Sequence, residues 1–184
     1  MAAGETAVAL DGKDGFSHYV LGRVLALIGQ GQRAISEFES SISLNPSFAH
    51  SYYGFAITLN WYGRAAEGIP LLDMAMRLSP QDPLFWAMQT ARAGCCANIG
   101  QYNEGIEWAR KAIHARPSQV WPHVIIADAL TAVDRIEEAR AAMAEARQLK
   151  PDLSLATIGF LAPKFHPPYH QRFVANLILA GLPE

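Results

Sequence analysis

The residues whose types could carry out chemistry are few in this sequence, and they lie apart. His166 and His170 flank a Pro-Pro-Tyr segment at a spacing that a zinc site could use. No cysteine or carboxylate lies near them in sequence, however, and zinc usually takes four such ligands. The two prolines between the histidines predict a loop. We therefore expect neither a metal site nor a cofactor.

The two cysteines, Cys95 and Cys96, are adjacent on a predicted helix. A disulfide between neighbours would strain the backbone, so we expect buried, reduced thiols in a reducing compartment. No motif around either cysteine would lower its pKa, although the sequence leaves a nucleophilic Cys96, His and Asp arrangement open. These observations favour a cytoplasmic protein that is not an enzyme.

Three other histidines and a pair of glycines also fail to form a site. His18, His114 and His123 lie on separate predicted helices, where packing or surface roles are expected rather than a proton relay. Gly29 and Gly31 precede no Gly-Lys-Ser/Thr, so they do not form a phosphate-binding loop.

Composition excludes further classes of function. The chain has 184 residues, is 51% hydrophobic and 17% charged, and has a formal net charge of −2, which is typical of a globular protein. Its 15 Lys and Arg are scattered among 17 acids, so no basic patch for nucleic acid is expected. No apolar run approaches the roughly 18 to 20 residues that span a membrane. Residues 1–6 include an early acid and no basic region, unlike a secretory signal.

One pattern of 18 residues occurs four times. It opens with a turn residue, carries two small residues seven positions apart and closes with proline, over residues 29–46, 63–80, 100–117 and 134–151. The closing prolines are separated by 34, 37 and 34 residues. Self-similarity at such a period predicts an array of stacked supersecondary units.

Each unit is predicted to be a pair of antiparallel helices. In the first unit the helices cover about 16–27 and 32–44, Gly22 and Ala34 let them approach, and Pro46 ends the second. In the third unit the extra residues precede the repeated block, where Asp82 is predicted to cap a helix over 83–97.

The ends of the array depart from the pattern. In the fourth unit Asp134 replaces the turn glycine, and we expect its carboxylate to cap the second helix while Glu137 reaches back. Beyond Pro151 we expect a short helix within 154–161, a break at the prolines of 162–168, and a last helix over about 169–180 that covers the open end of the stack. Residues 1–12 align with the tail of one more unit, which predicts a partial repeat or an N-terminal cap.

The 34-residue spacing has small residues at the eighth, twentieth and twenty-seventh places and proline at the thirty-second, and so resembles the tetratricopeptide repeat. The resemblance covers residues 13–153, with units at 15–48, 49–82, 83–119 and 120–153, and leaves 154–184 as a C-terminal cap. It implies an all-α fold, a right-handed superhelix of antiparallel helix pairs. The leading helices of such a solenoid line a concave groove that binds a peptide or a partner's helix.

A narrower resemblance concerns three segments, 78–83, 100–112 and 180–184. They are similar to the C-terminal repeat regions of bacterial class III adenylate/guanylate cyclase-like signalling proteins. In that family a catalytic or DNA-binding domain precedes the repeats, so the resemblance implies a detached or truncated regulatory module.

The resemblance also assigns groove positions. In the family, the ligand faces the second, fifth, sixth, ninth, twelfth and thirteenth positions of each unit. These positions imply a peptide-binding groove formed by Phe16, Tyr19, Arg23, His50, Tyr53, Asn60, Trp61, Trp121, Ile125 and Asp128. Further residues at such positions are Leu27, Ala87, Thr90, Asn98 and Thr131. The lining is aromatic with few hydrogen-bonding groups, as at interfaces where aromatic anchors dominate binding.

Some members of the family hold a C-terminal carboxylate with Lys and Asn at the fifth and ninth positions of the first unit. Tyr19 and Arg23 stand there instead, so a more apolar ligand is expected. The alternative for Tyr53 and Trp61 is simple packing against neighbouring units.

Three hypotheses of function follow. The first is a non-catalytic scaffold whose partner is a protein or peptide, without nucleic-acid or membrane binding. The second is a homodimer that forms through the incomplete N-terminal unit. The third, an enzyme or metal protein, has no motif in its favour.

Overall fold

The structure is a computed structural model that describes Thr6 and residues 12–158 and 166–184. These residues form ten α-helices and no strand. The chain divides into two compact units, Met1–Asp82 and Pro83–Glu184, which are called the first unit and the second unit from here on, as distinct from the repeat units of the sequence. The all-α architecture of antiparallel helix pairs is confirmed. Within the described residues, no helix is long and apolar enough to cross a membrane.

The first compact unit contains two helix pairs. Its helices are α1 (Gly15–Leu27), α2 (Gly31–Leu44), α3 (Ala49–Trp61) and α4 (Ala65–Leu78). α1 packs on α2 and α3 on α4, and the trailing helix α2 also packs on the leading helix α3. The predicted partial repeat at 1–12 lies outside the described residues, except for Thr6 and Gly12.

The core of the first unit is organised around Phe38, whose side chain is completely buried. Its ring packs between two glycines: a Cβ on Gly22 would lie 3.1 Å from the ring, and a Cβ on Gly54 would lie 2.7 Å from it. Gly22 was predicted to allow close helix approach, and the group that it accommodates is this ring. Leu72, at the corresponding place in the next pair, is also fully buried.

The second compact unit contains two helix pairs and the C-terminal helices. Its helices are α5 (Phe85–Asn98), α6 (Tyr102–Ala115), α7 (Val120–Ala132), α8 (Ile136–Leu149), α9 (Leu155–Ile158) and α10 (Pro167–Leu179). The prediction that Asp82 caps α5 is wrong, because α5 begins two residues later and its N-cap is Leu84. Asp82 instead accepts a hydrogen bond from the Ser79 hydroxyl at 3.0 Å.

The C-terminal helix begins earlier than predicted, at Pro167. A proline in the first turn leaves no hydrogen bond unmade, because those N–H groups have no partner in the helix. Of the helix predicted within 154–161, the structure describes α9, and residues 159–165 lie outside the described residues. α10 buries Phe173 and Leu177 in the core of the second unit. The Leu155 N–H also donates to the Pro183 carbonyl at 2.8 Å.

The turns between paired helices share a left-handed residue. Gly29, Gly63 and Gly100 have φ of 82°, 85° and 82°, and Asp134 has φ of 60° at the corresponding place. The predicted capping by Asp134 is wrong: Arg135 is the N-cap of α8, and no side chain caps that helix. The aspartate occupies a backbone conformation that favours glycine.

Replacing Asp134 with glycine is therefore expected to stabilise the second unit by about 0.5–1 kcal/mol, since relief of left-handed strain outweighs the added freedom of the unfolded chain. The matched control is Gly100→Asp, where an added Cβ meets no atom within 4 Å, so that only backbone strain is introduced. The two substitutions should move the urea unfolding midpoint in opposite directions. A lower midpoint for Asp134→Gly would contradict this account.

Candidate functional site

The leading helices of the first unit bring together an aromatic surface. Five side chains form it with Phe48: Phe16, Tyr19 and Arg23 on α1, and His50 and Tyr53 on α3. We call these six residues the first-unit face. The Tyr19 ring lies 6.0 Å from Phe16, 5.2 Å from Phe48 and 6.2 Å from His50, measured between ring centroids. Five of these six residues are among the groove positions predicted from the sequence, and the structure brings their side chains together.

Hydrogen-bonding groups are interspersed among these rings. The Arg23 guanidinium donates to the Tyr19 hydroxyl at 3.3 Å. Burial raises the pKa of Tyr53 to about 12, against the opposing effect of the Arg23 charge, so the phenol stays neutral and can donate. His50 Nε2 lies 3.7 Å from a carboxylate oxygen of Asp82. The face can therefore contact apolar side chains and also bind peptide carbonyls.

Exposure differs among the members of this face. Phe16 is 58% exposed, whereas Tyr19, Arg23 and Tyr53 are half-buried. Phe16 is thus the member most open to a ligand.

Asn60 and Trp61 lie at the end of α3. Asn60 is buried, and the half-buried Trp61 packs against the core cluster that contains Leu21 and Leu25. Packing, the alternative considered for Trp61, accounts for much of its surface. These two residues contribute less open surface than Phe16 does.

The leading helices of the second unit present a different surface. The second-unit face consists of Asn98 on α5 and Trp121, Ile125 and Asp128 on α7. Trp121 is 37% exposed and Ile125 is half-buried, but Asp128 is only 1% exposed. Asp128, which the sequence places at a groove position, is therefore closed to an external peptide in this structure.

Asp128 is buried because the C-terminal helix covers it. Arg172 Nη1 donates to both carboxylate oxygens of Asp128, at 3.0 and 3.1 Å, and Arg172 Nη2 donates to Asn98 Oδ1 at 2.7 Å. Asn176 Nδ2 donates to Asp128 Oδ1 at 2.8 Å. The Arg172 guanidinium also lies 5.6 Å from the centre of the Tyr102 ring. Burial raises the pKa of Asp128, while Arg172 and Asn176 partly oppose that rise.

Comparison with solved structures identifies the fold. No protein-family model and no curated protein matches this chain. PilW, a type IV pilus biogenesis factor, superposes with a TM-score of 0.78 at 17% identity, over 95% of this chain and 80% of its own. YrrB, described as a TPR protein with an unusual peptide-binding site, superposes with a TM-score of 0.64 at 14% identity, over 97% of this chain and 90% of its own. The fold is that of the tetratricopeptide repeat. MamA from Desulfovibrio magneticus RS-1 superposes with a TM-score of 0.64 at 15% identity, over 90% of this chain and 94% of its own.

His18 and His123, which the sequence places on separate helices, make contacts within the fold. His18 Nδ1 lies 2.6 Å from Glu37 Oε2 and joins α1 to α2, and His123 Nε2 lies 3.1 Å from the Pro117 carbonyl oxygen. His170 lies in the first turn of α10 rather than in the predicted loop. Among the described residues, no three His, Cys, Asp or Glu side chains come together as metal ligands.

Both cysteines belong to the core of this tetratricopeptide array. Cys95 and Cys96 form no disulfide and have no exposed surface. Burial raises the pKa of the Cys95 thiol to about 12, so it carries almost no thiolate at neutral pH. Buried, reduced thiols were the prediction.

Proposed function

We propose that this chain is a non-catalytic tetratricopeptide-repeat scaffold that binds a protein segment, either a peptide or a helix, through the leading helices of its first unit. The observation that carries the proposal is the contiguous aromatic surface with Phe16 at its open edge. Because Arg23 and the phenol hydroxyls can donate hydrogen bonds, the ligand is expected to present apolar side chains together with backbone carbonyls. A regulatory module of a signalling protein remains the context that the narrower resemblance implies.

The structural neighbours support this assignment at the level of fold. Tetratricopeptide repeats are interaction modules, and the description of YrrB names a peptide-binding site in that protein. Function depends on the site rather than on the fold, however, so the surface of this chain must carry the argument. Apolar rings around a cation form such a surface, since a few buried aromatic anchors dominate most interfaces.

The test is selection of peptides from a displayed library on the full-length protein, followed by affinity measurement for the enriched sequences. Phe16→Ala and Arg23→Ala are each expected to weaken binding at least tenfold, which is about 1.4 kcal/mol. The matched control is Leu44→Ala, because Leu44 is also an exposed apolar residue, 41% exposed, but lies at the end of the trailing helix α2.

Equal affinity for the wild-type protein and both face variants would overturn the proposal. The alternative, a homodimer formed through the N-terminal unit, is measured on the same samples by light scattering. A dimer mass that falls to the monomer mass on dilution would favour it, and a monomer mass at all concentrations would remove it.

A further inference from the structure

The C-terminal helix α10 does not take the place of a fifth leading helix. It packs mainly on the leading helix α7 and makes far fewer contacts with the trailing helix α8. Between successive repeat pairs the order is reversed, since the leading helix α7 packs more extensively on the preceding trailing helix α6 than on the preceding leading helix α5. Helix α10 therefore lies across the second-unit face instead of extending the stack.

Two polar side chains of α10 contact that face. Arg172 and Asn176 are four residues apart, so they project from the same side of the helix. Arg172 donates to both Asp128 and Asn98, and Asn176 donates to the carboxylate and, at 3.3 Å, to the backbone carbonyl of Asp128. Asp128 and Asn98 both occupy positions at which the repeat family contacts a ligand. Helix α10 is thus held at ligand-binding positions.

Apolar groups of α10 are buried alongside this network. Phe173 is 9% exposed and Leu177 is fully buried, each following a polar contact residue by one position. Over residues 172–177 the sequence is Arg-Phe, then two further residues, then Asn-Leu, so each polar and each apolar residue recurs after four positions. A helix that lies in a groove is recognised by anchors at such spacings.

The polar network indicates recognition rather than simple covering. A buried ion pair adds little net stability compared with apolar side chains of similar volume, because both charges lose their hydration. It does, however, fix the register and orientation of the helix that carries it. A terminal cap also normally has a polar outer face, whereas α10 leaves Ile178 and Leu179 51% and 56% exposed.

We propose that the second-unit face is a helix-binding site whose ligand is the chain's own C-terminal helix, recognised through Arg172 and Asn176. In the folded monomer this site is filled in cis. The same segment supplied in trans competes for the site once the cis helix has lost its two polar contacts. This site is separate from the first-unit face, so it stands or falls independently of the function proposed above.

The test uses a fluorescein-labelled peptide of residues 166–184 and the full-length chain. Binding is measured by fluorescence anisotropy to the wild-type protein and to an Arg172→Ala/Asn176→Ala variant, in which Asp128 and Asn98 are unchanged. The peptide is expected to bind the variant at least tenfold more tightly, because it restores contacts that the cis helix has lost. A peptide carrying Arg172→Ala should lose that gain.

Two further substitutions locate the binding. Adding Asp128→Asn to the variant is expected to abolish the gain, whereas adding Phe16→Ala, on the first-unit face, is expected to leave it intact. Equal affinity of the peptide for the wild-type protein and the variant, or a gain that depends on Phe16 and not on Asp128, would overturn the proposal.

Hydrogen exchange of the unmodified protein decides the matter if the double variant fails to fold. Exchangeable occupancy requires α10 to leave the site while α7 remains helical, so the protected amides of α10 should exchange at least tenfold faster than those of α7. Identical exchange rates in the two helices would show that α10 leaves only when the whole unit unfolds, and the proposal would then be wrong.

Discussion

Replacing Arg172 with alanine is expected to lower the free energy of unfolding of the second unit by about 3–5 kcal/mol at neutral pH. The substitution removes the cation that contacts both oxygens of Asp128, a carboxylate whose side chain is 2% exposed in the intact protein. An uncompensated buried charge is far more costly than a missing surface pair. The measurement is urea unfolding followed by circular dichroism, with hydrogen exchange to assign the transition to this unit.

The penalty is expected to depend on pH in a defined direction. In the variant, the buried Asp128 has a pKa above the value of about 3.9 found in unfolded chains. Below that value the carboxyl is neutral in both states, so the charge penalty is absent. As pH rises, the unfolded chain ionises first, and the variant loses stability until the folded-state pKa is passed. The gap between wild type and variant should thus widen from about pH 4 upward.

Arg140→Ala is the matched control for this prediction. Arg140 Nη1 lies 2.9 Å from Glu137 Oε1, but these side chains are 57% and 87% exposed, so water replaces the lost contact. Its unfolding midpoint should agree with that of the wild type within error at every pH. A loss of similar size for Arg140→Ala and Arg172→Ala would show that burial of Asp128 does not determine the energy.

Much of the fold could be predicted because its signals are local and repeated. The spacing of Pro46 and Pro80, and of the small residues between them, sets helix length and pairing without any knowledge of distant contacts. The turns were harder to interpret at one position. Asp134 can serve either as a helix cap or as a left-handed turn residue, and the choice was settled by its correspondence with Gly100 rather than by its capping preference.

The site was less predictable because part of it depends on residues outside the repeat register. The position of Asp128 in its unit suggested an open groove, whereas its partner Arg172 lies 44 residues further along the chain. The spacing of Arg172 and Asn176 beside Phe173 and Leu177 is the available signal, whereas the apolar residues alone predict only a covering helix. A charged residue on the apolar side of a terminal helix indicates a buried partner.

Phe48 is a second residue that sequence reasoning missed. It lies immediately before α3, outside the positions that the repeat pattern assigns to ligands, and yet its ring is 5.2 Å from Tyr19 and 5.6 Å from His50. A large apolar residue just before a helix often packs on neighbouring residues, and this was the signal that could have identified it.

Replacing Phe38 with alanine is expected to destabilise the first unit by about 3–5 kcal/mol, the usual cost of removing a buried phenylalanine ring. The ring is completely buried, lies 6.3 Å from Tyr19 and 6.1 Å from Phe55, and occupies the space that Gly22 and Gly54 leave open. Because glycine borders the ring at those two points, no side chain there can move into the cavity that the substitution leaves. Urea unfolding monitored through hydrogen exchange of α1–α4 gives the measurement.

Phe38→Leu separates loss of volume from loss of the ring. Leucine occupies the corresponding place at Leu72, where it is fully buried between helices of the same type. We expect it to cost less than half as much as alanine, because it fills most of the cavity. Since Tyr19 packs against Phe38, Phe38→Ala should also loosen the first-unit face and weaken peptide binding, whereas Phe38→Leu should largely preserve it. Equal losses for the two substitutions would mean that the ring itself, rather than the space it fills, supports the face.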